Sequence, residues 1–138
     1  MRRRDGKSSR HEPDEEGTRL TELEVAIRAA QAADEKKADQ VVILDMRPLT
    51  VVTDYFVICS GQSMPQVRAI ARGIQEAMEK DGVRLHRREG DDRSLWILLD
   101  FGGVVVHVFH HAEREYYDLE RLWADAPRVE WSPVSSKQ

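Results

Sequence analysis

Asp45, Asp54, Asp91, Asp92 and Asp100 are the carboxylates best placed for chemistry in this sequence, and Cys59-Ser60-Gly61 is a conceivable phosphate loop beside them. Nucleotidyl transfer needs such a set, because Mg2+ must neutralise phosphate charge and orient the attacking oxygen. The spacing argues against it. No Asp-x-Asp pair closes a strand, Asp91 and Asp92 are adjacent in the polar run "EGDDRS", and Asp45 or Asp54 suits the capping of backbone N–H groups at least as well. His107, His110 and His111 raise the question of zinc, yet no Cys or carboxylate nearby completes a ligand set, and His11 and His86 stand apart. Neither a Gly-x-Gly-x-x-Gly nor a Gly-x-x-x-x-Gly-Lys-Ser/Thr motif occurs, nor a serine elbow. The single Cys59 excludes an internal disulfide and, without a basic neighbour to favour the thiolate, reads as a buried apolar residue. We therefore expect no catalytic residue, no metal and no cofactor; the competing reading is a Mg-dependent nucleotidyltransferase-like enzyme.

The elements that would position these residues follow from periodicity. Residues 1–17 mix charges with Gly, Ser and Pro and offer almost nothing to bury, which predicts a flexible tail. Thr21 and Glu24 have capping-box spacing, Leu20 and Val25 can staple across it, and Leu23, Ile27 and Ala30 continue an apolar stripe. "QVVILDMR" and "DYFVICSG" read as buried strands, the first stopped by Pro48 and the second by Gly61. Ser63, Pro65 and Gln66 open a helix whose face carries Val67, Ile70, Ala71, Ile74 and Met78, and Gly82 closes it. "VRLHRR" alternates like an edge strand with one wet face. "LWILLDF" and "VVVHVF" are joined by a hairpin turn in which the two glycines permit positive φ. One further helix begins among His110 to Glu113 and carries Tyr116, Leu119, Leu122 and Trp123, and Pro127 and Pro133 mark an irregular tail. The fold class is α/β: a single domain over 18–127 with a mixed five-stranded sheet and flanking helices, followed by an irregular tail at 128–138.

In the hairpin, Trp96, Leu98 and Asp100 oppose Leu95, Ile97 and Leu99, while Val105, His107 and Phe109 oppose Val104, Val106 and Val108. If helices leave the Trp96 face incompletely covered, it is a partner surface with aromatic anchors. If a helix lies over it, Trp96 is core. Alternation alone leaves both readings open. The chain has 138 residues, a formal net charge of -4 and 41% hydrophobic residues, enough for one core and unlike a free-standing nucleic-acid binder. An acidic body can still meet a basic protein partner. Arg2, Arg3 and Arg4, and Arg84, Arg87 and Arg88, cluster, either as solvated surface or as minor RNA contacts. The apolar runs fall well short of the roughly 20 residues that span a bilayer, so we expect a cytoplasmic protein with no membrane contact.

The segments "LDMRPLTVVTDYFVICSG", "QVRAIARGI", "LWILLDFGGVVVHVF" and "REYYDLERLW" occur in order over about residues 20–127 and closely resemble the ribosomal silencing factor (RsfS or Iojap) family. The resemblance implies a small domain similar to the nucleotidyltransferase fold without its catalytic site. It further implies a translational repressor that binds the large ribosomal subunit through a ribosomal protein at the intersubunit face and sterically blocks joining of the small subunit. Homodimers known in the family imply that one apolar face serves either self-association or the ribosome. By resemblance, Trp96 and Ile97 match the ribosomal contact, Asp54 and Tyr55 the "TDYF" segment, and Tyr117, Leu119, Glu120 and Trp123 the C-terminal signature. Two positions depart: Gly103 stands where the family usually has an acidic residue, and His110 where it commonly has Gln. The expected ribosome-binding set is Trp96, Ile97, Asp100 and His107, with Arg87, Arg88 and Glu89 at the rim.

Overall fold

The computed structural model describes residues 20–132. The expected tail at 1–17, with Arg2, Arg3 and Arg4, lies outside the described residues, as do residues 133–138. The elements are α1 (Glu22–Glu35), β1 (Asp39–Asp45), β2 (Tyr55–Gly61), α2 (Met64–Lys80), β3 (Arg87–Glu89), β4 (Trp96–Asp100), β5 (Val104–His110), α3 (His111–Tyr117), α4 (Leu119–Leu122) and β6 (Arg128–Val129). The helix starts obey their local chemistry. Thr21 Oγ1 accepts from Glu24 N at 3.1 Å and Glu24 Oε1 accepts from Thr21 N at 2.8 Å, the complete capping box of α1. Ser63 accepts from Gln66 N at the start of α2, where Pro65 removes an N–H that had no helical partner.

The strands form one mixed sheet in the order β3-β4-β5-β2-β1-β6. Only β2 and β5 run parallel, because the crossover through α2, β3 and β4 returns the chain to the same end; the other pairs are antiparallel. The sheet thus has six strands where five are expected. Arg128–Val129, expected to begin an irregular tail, pairs with Leu44 and Ile43, and Trp131 beyond it donates its indole N–H to the Val41 carbonyl at 3.2 Å. An open backbone edge on β1 and two side chains able to bury outweigh the proline before them. Conversely, the strand expected over "VRLHRR" is confined to Arg87–Glu89. Val83 is drawn into the core, and only Leu98 to Asp100 of β4 are paired with it.

Helices α1 and α2 pack against the same face. Val25, Ala26, Ala29, Ala30 and Ala33 of α1, with Val67, Ile70, Ala71, Ile74 and Met78 of α2, enclose Val57, Cys59, Ile97, Leu99, Val104, Val106 and Val108. The alanine stripe lets α1 lie close to the strands. Full burial pushes the Cys59 thiol up to about 12, so it is packed and protonated, as expected. The opposite face has a smaller cluster of Leu44, Met46, Ile58, Phe109, Leu119 and Ala126, against which Val42, Phe56, Trp96 and Trp123 are only partly buried. Its cover is α3 and α4. They replace the single helix expected here, because Asp118 turns left-handed at φ 50° and breaks the run. Among the described residues no helix is long and apolar enough to cross a membrane.

Candidate functional site: an aromatic ribbon on the thinly covered face

The register aligns the aromatic side chains of this face. Trp96 of β4 stands opposite Phe109 of β5, His107 lies beside Leu98, and Ile58 of β2 beside His107. Directly opposed residues share a face, so the rings of three strands meet. Trp123 contacts Phe56 at 6.2 Å between centroids, Phe56 contacts His107 edge-on at 4.6 Å, and Trp96 contacts Phe109 at 4.8 Å. Trp96 then reaches Tyr117 at 4.8 Å, and Tyr117 reaches Tyr116 at 5.0 Å. The ribbon is core at Phe109 and solvent at Tyr116, which is 78% exposed; Tyr117 and Leu122 are exposed beside it. Trp96 lies at the transition, with one side packed and one side open.

Arg114 holds the exposed end in place. It is buried, pairs with Glu120 at 2.7 Å and donates to the carbonyls of Asp39 and Gln40 and to Ser60 Oγ. Successive carbonyls of a regular strand point apart; these two face the same guanidinium because β1 carries a bulge between Asp39 and Val42, with Gln40 at φ 49°. The salt bridge spans the break at Asp118, so it ties α3 to α4 and both to the sheet. Nothing in the sequence marks Arg114 apart from its neighbours. Its partner Glu120 belongs to the C-terminal signature, as does Tyr117, which the expected contact set leaves out although it extends Trp96 directly.

The structure divides the expected contact residues. Trp96 is half-buried on the thinly covered face, and Arg87, Glu89 and Asp100 lie on that face toward the sheet edge. Arg88, opposite Leu99, points to the helix side, where it donates to Gln75 Oε1 at 2.8 Å and to the Gly90 carbonyl at 3.0 Å. Arg87 and Glu89 pair with each other at 3.3 Å and are more than half exposed, an ion pair worth little in water. Asp100 Oδ1 accepts from Gly102 N at 2.8 Å and so stabilises the hairpin turn, in which Gly102 takes φ 93°. Ile97 corrects the expectation: strand alternation turns it into the helix-covered core, fully enclosed, and its side chain is shut off from any partner. His107 is also withdrawn, at 4% exposure. Its Nδ1 accepts from Trp96 Nε1 at 3.2 Å, and desolvation lowers its pKa to about 4. His110 caps α3 by accepting from Ala112 N, and His111 begins that helix.

The carboxylates considered for metal chemistry serve separate local jobs. Arg47 binds Asp45 through two guanidinium nitrogens at 2.9 and 2.8 Å, and this holds Asp45 below the usual carboxylate range. The same guanidinium covers the Tyr55 ring at 5.3 Å. Asp91 accepts from Arg93 N and Ser94 Oγ in its turn, and Asp92 pairs with Arg88 at 3.6 Å. Ser60 of the would-be phosphate loop is buried against Arg114. Thr53, Asp54 and Tyr55 instead clamp the β4–β5 hairpin, all three reaching the Gly103 carbonyl. At Gly103 a Cβ would run into the carboxyl group of Glu22 from α1, so the carboxylate beside this turn comes from another element.

A sequence model of the family described as "Ribosomal silencing factor during starvation" matches residues 19–138. The chain belongs to the ribosomal silencing factor family. It is 45% identical over 117 residues to "Ribosomal silencing factor RsfS" of Halalkalibacterium halodurans, covering 85% of this chain and 100% of that protein. A crystal structure of a Chromobacterium violaceum protein shares the fold with a TM-score of 0.73 at 32% identity, covering 86% of this chain and 98% of that one. A more distant mouse relative, "Mitochondrial assembly of ribosomal large subunit protein 1", is 32% identical over 92 residues, covering 64% of this chain and 40% of that protein. The name of the family is that of a regulator, not of an enzyme.

Proposed function

We propose that this chain represses translation in the cytoplasm by occupying the intersubunit face of the large ribosomal subunit, through a ribosomal protein there, and excluding the small subunit sterically. The aromatic ribbon carries this reading. It is a contiguous set of rings whose inner half is fixed in the sheet and whose outer half, Trp96, Tyr117 and Tyr116, is presented to solvent. Large amphipathic rings on rigid supports are the usual anchors of a protein interface, since they bury much area while losing little rotamer freedom. The surround suits a basic partner: once Arg114 and Glu120 neutralise each other, Glu113, Glu115, Asp118 and Asp125 outweigh Arg121 on α3, α4 and their flanks. The family name and the large-subunit name of the mouse relative support the ribosome as that partner.

No reaction is required by this mechanism. A complex that outlasts encounters between subunits is enough, and acidic complementarity would chiefly speed its formation. Arg87 and Glu89 at the rim can orient the approach, with minor contacts to ribosomal RNA as a weaker contribution from the arginine. Self-association through the ribbon would compete with ribosome binding, because both would cover the same rings. The test is a joining assay: purified protein is added to isolated large subunits before small subunits, and particles are resolved by sedimentation. We expect a dose-dependent loss of joined ribosomes with the protein retained on the large subunit. Unchanged joining with the protein bound would refute exclusion as the mechanism.

A further inference from the structure

A histidine in the middle of an aromatic cluster calls for a reason. Its strand neighbours on the same face are Val105 and Phe109, its nearest ring contacts are Phe56 and Trp96, and an apolar residue would fill the space without desolvating two ring nitrogens. Only one nitrogen is used. Nδ1 faces the Trp96 indole N–H at 3.2 Å, while Nε2 is buried and makes no hydrogen bond among the described residues. An indole N–H can only donate, so Nδ1 must be the unprotonated nitrogen, and in the neutral ring the proton then sits on Nε2. Burial also resists the imidazolium, which would have no acceptor left for the indole. The site therefore bears the cost of an unsatisfied buried N–H and gains a single acceptor aimed at Trp96.

We propose that His107 is a positioning residue that contacts no partner itself: its Nδ1 acceptor locks the Trp96 indole in the orientation that continues into Tyr117 and presents the outer ring edge ready-formed. Without the acceptor the partly buried indole would satisfy its N–H by swinging toward water, and the contact with Tyr117 at 4.8 Å would be lost. An anchor already fixed before encounter loses less conformational freedom on binding, so the effect belongs in affinity. The proposal rests on the reading of Trp96 as an anchor of the large-subunit contact, but the hydrogen bond can be examined without any ribosome.

In the full chain, side-chain 15N NMR should show His107 as the Nε2-protonated tautomer; an Nδ1-protonated ring would overturn the proposal at once. His107→Phe keeps the volume and removes the acceptor, whereas His107→Asn returns an oxygen near the position of Nδ1. We expect the Trp96 indole proton to exchange with solvent at least tenfold faster in His107→Phe, and within threefold of the wild-type rate in His107→Asn. The Trp131 indole, bonded to the Val41 carbonyl, should be unchanged in both. Affinity for isolated large subunits should fall about tenfold in the first variant and less than threefold in the second. Unchanged exchange in a folded His107→Phe, or equal affinity losses in both variants, would overturn the proposal. If His107→Phe does not fold, the wild-type tautomer and the exchange rate in His107→Asn still decide it. If wild-type protein does not bind the subunits, the function proposed above fails, while tautomer and exchange still report on the positioning.

Discussion

Adjacent residues of β4 have opposite surroundings. Ile97 is enclosed among α1, α2 and the inner strands, whereas Trp96 lies under the edge of α3 with part of its ring in water. The same strands build both faces, and the difference lies in what covers them. Two long helices lie on one side, with an alanine stripe that lets α1 approach closely. On the other side lie two short helices separated by a left-handed Asp118. The thick side supplies stability and the thin side supplies rings that are held but not enclosed. A sheet finished in this way can lose its contact surface without unfolding, and several substitutions test that division.

The largest effect is expected from Ile97→Ala. Removing a fully buried branched side chain should cost about 4 kcal/mol of stability, read as a lower urea midpoint, while the fraction that remains folded should bind large subunits as wild type does. Arg114→Met should cost about 3 kcal/mol, because Glu120 and the carbonyls of the β1 bulge would lose a buried cationic partner. Unlike Ile97→Ala, it should also weaken subunit binding and speed amide exchange over 111–123, since α3 carries the exposed tyrosines and α4 the exposed Leu122 beside them.

The thin face should also be the more acid-sensitive. His107 has a folded-state pKa of about 4 against 6.5 for the free ring, so between those values the unfolded chain takes up a proton that the folded chain does not. Stability from this group is whole above about pH 7 and declines as pH falls toward 4, by about 2 kcal/mol at pH 5. Urea titrations at pH 7.5 and pH 5 should show this loss in the wild type, and His107→Phe should reduce it. Asp45, held down by Arg47, acts lower: the stability it contributes is present above the ordinary carboxylate pKa and is lost only as pH falls through its depressed value.

The smallest effect concerns the hairpin turn. Gly103→Asp would press a carboxylate onto that of Glu22 and should cost about 1 kcal/mol, much of which Glu22→Ala should restore in the double variant. Simple additivity in the urea midpoints would show that Glu22 and a side chain at position 103 do not compete for the same space.

Residue chemistry alone made much of this molecule readable. The caps at Thr21 and Ser63 and the burial of Cys59 follow local rules that the fold obeys, and of the two turn glycines Gly102 takes the positive φ while Gly103 does not. The sixth strand was not readable, because Arg128–Val129 has no periodicity of its own and pairs only because β1 offers an open edge. Nor was the break at Asp118, which depends on Arg114 and Glu120 meeting across it. Within the contact set, alternation put Trp96 on its face and left its cover open, and the family resemblance made it a contact. Ile97 entered through family resemblance alone, against the same alternation, and the structure sides with the physical rule. His107 has the expected face but a different depth, since the closeness of Phe56 and Trp96 above it is a tertiary fact.

On the function proposed above, the open rings, and not the enclosed face, hold the large subunit. Co-sedimentation of Trp96→Ala with isolated large subunits tests it most directly, alongside circular dichroism to establish that the variant is folded. A native spectrum with binding weakened at least tenfold is expected. A folded Trp96→Ala protein that sediments with the subunits as fully as wild type would contradict it.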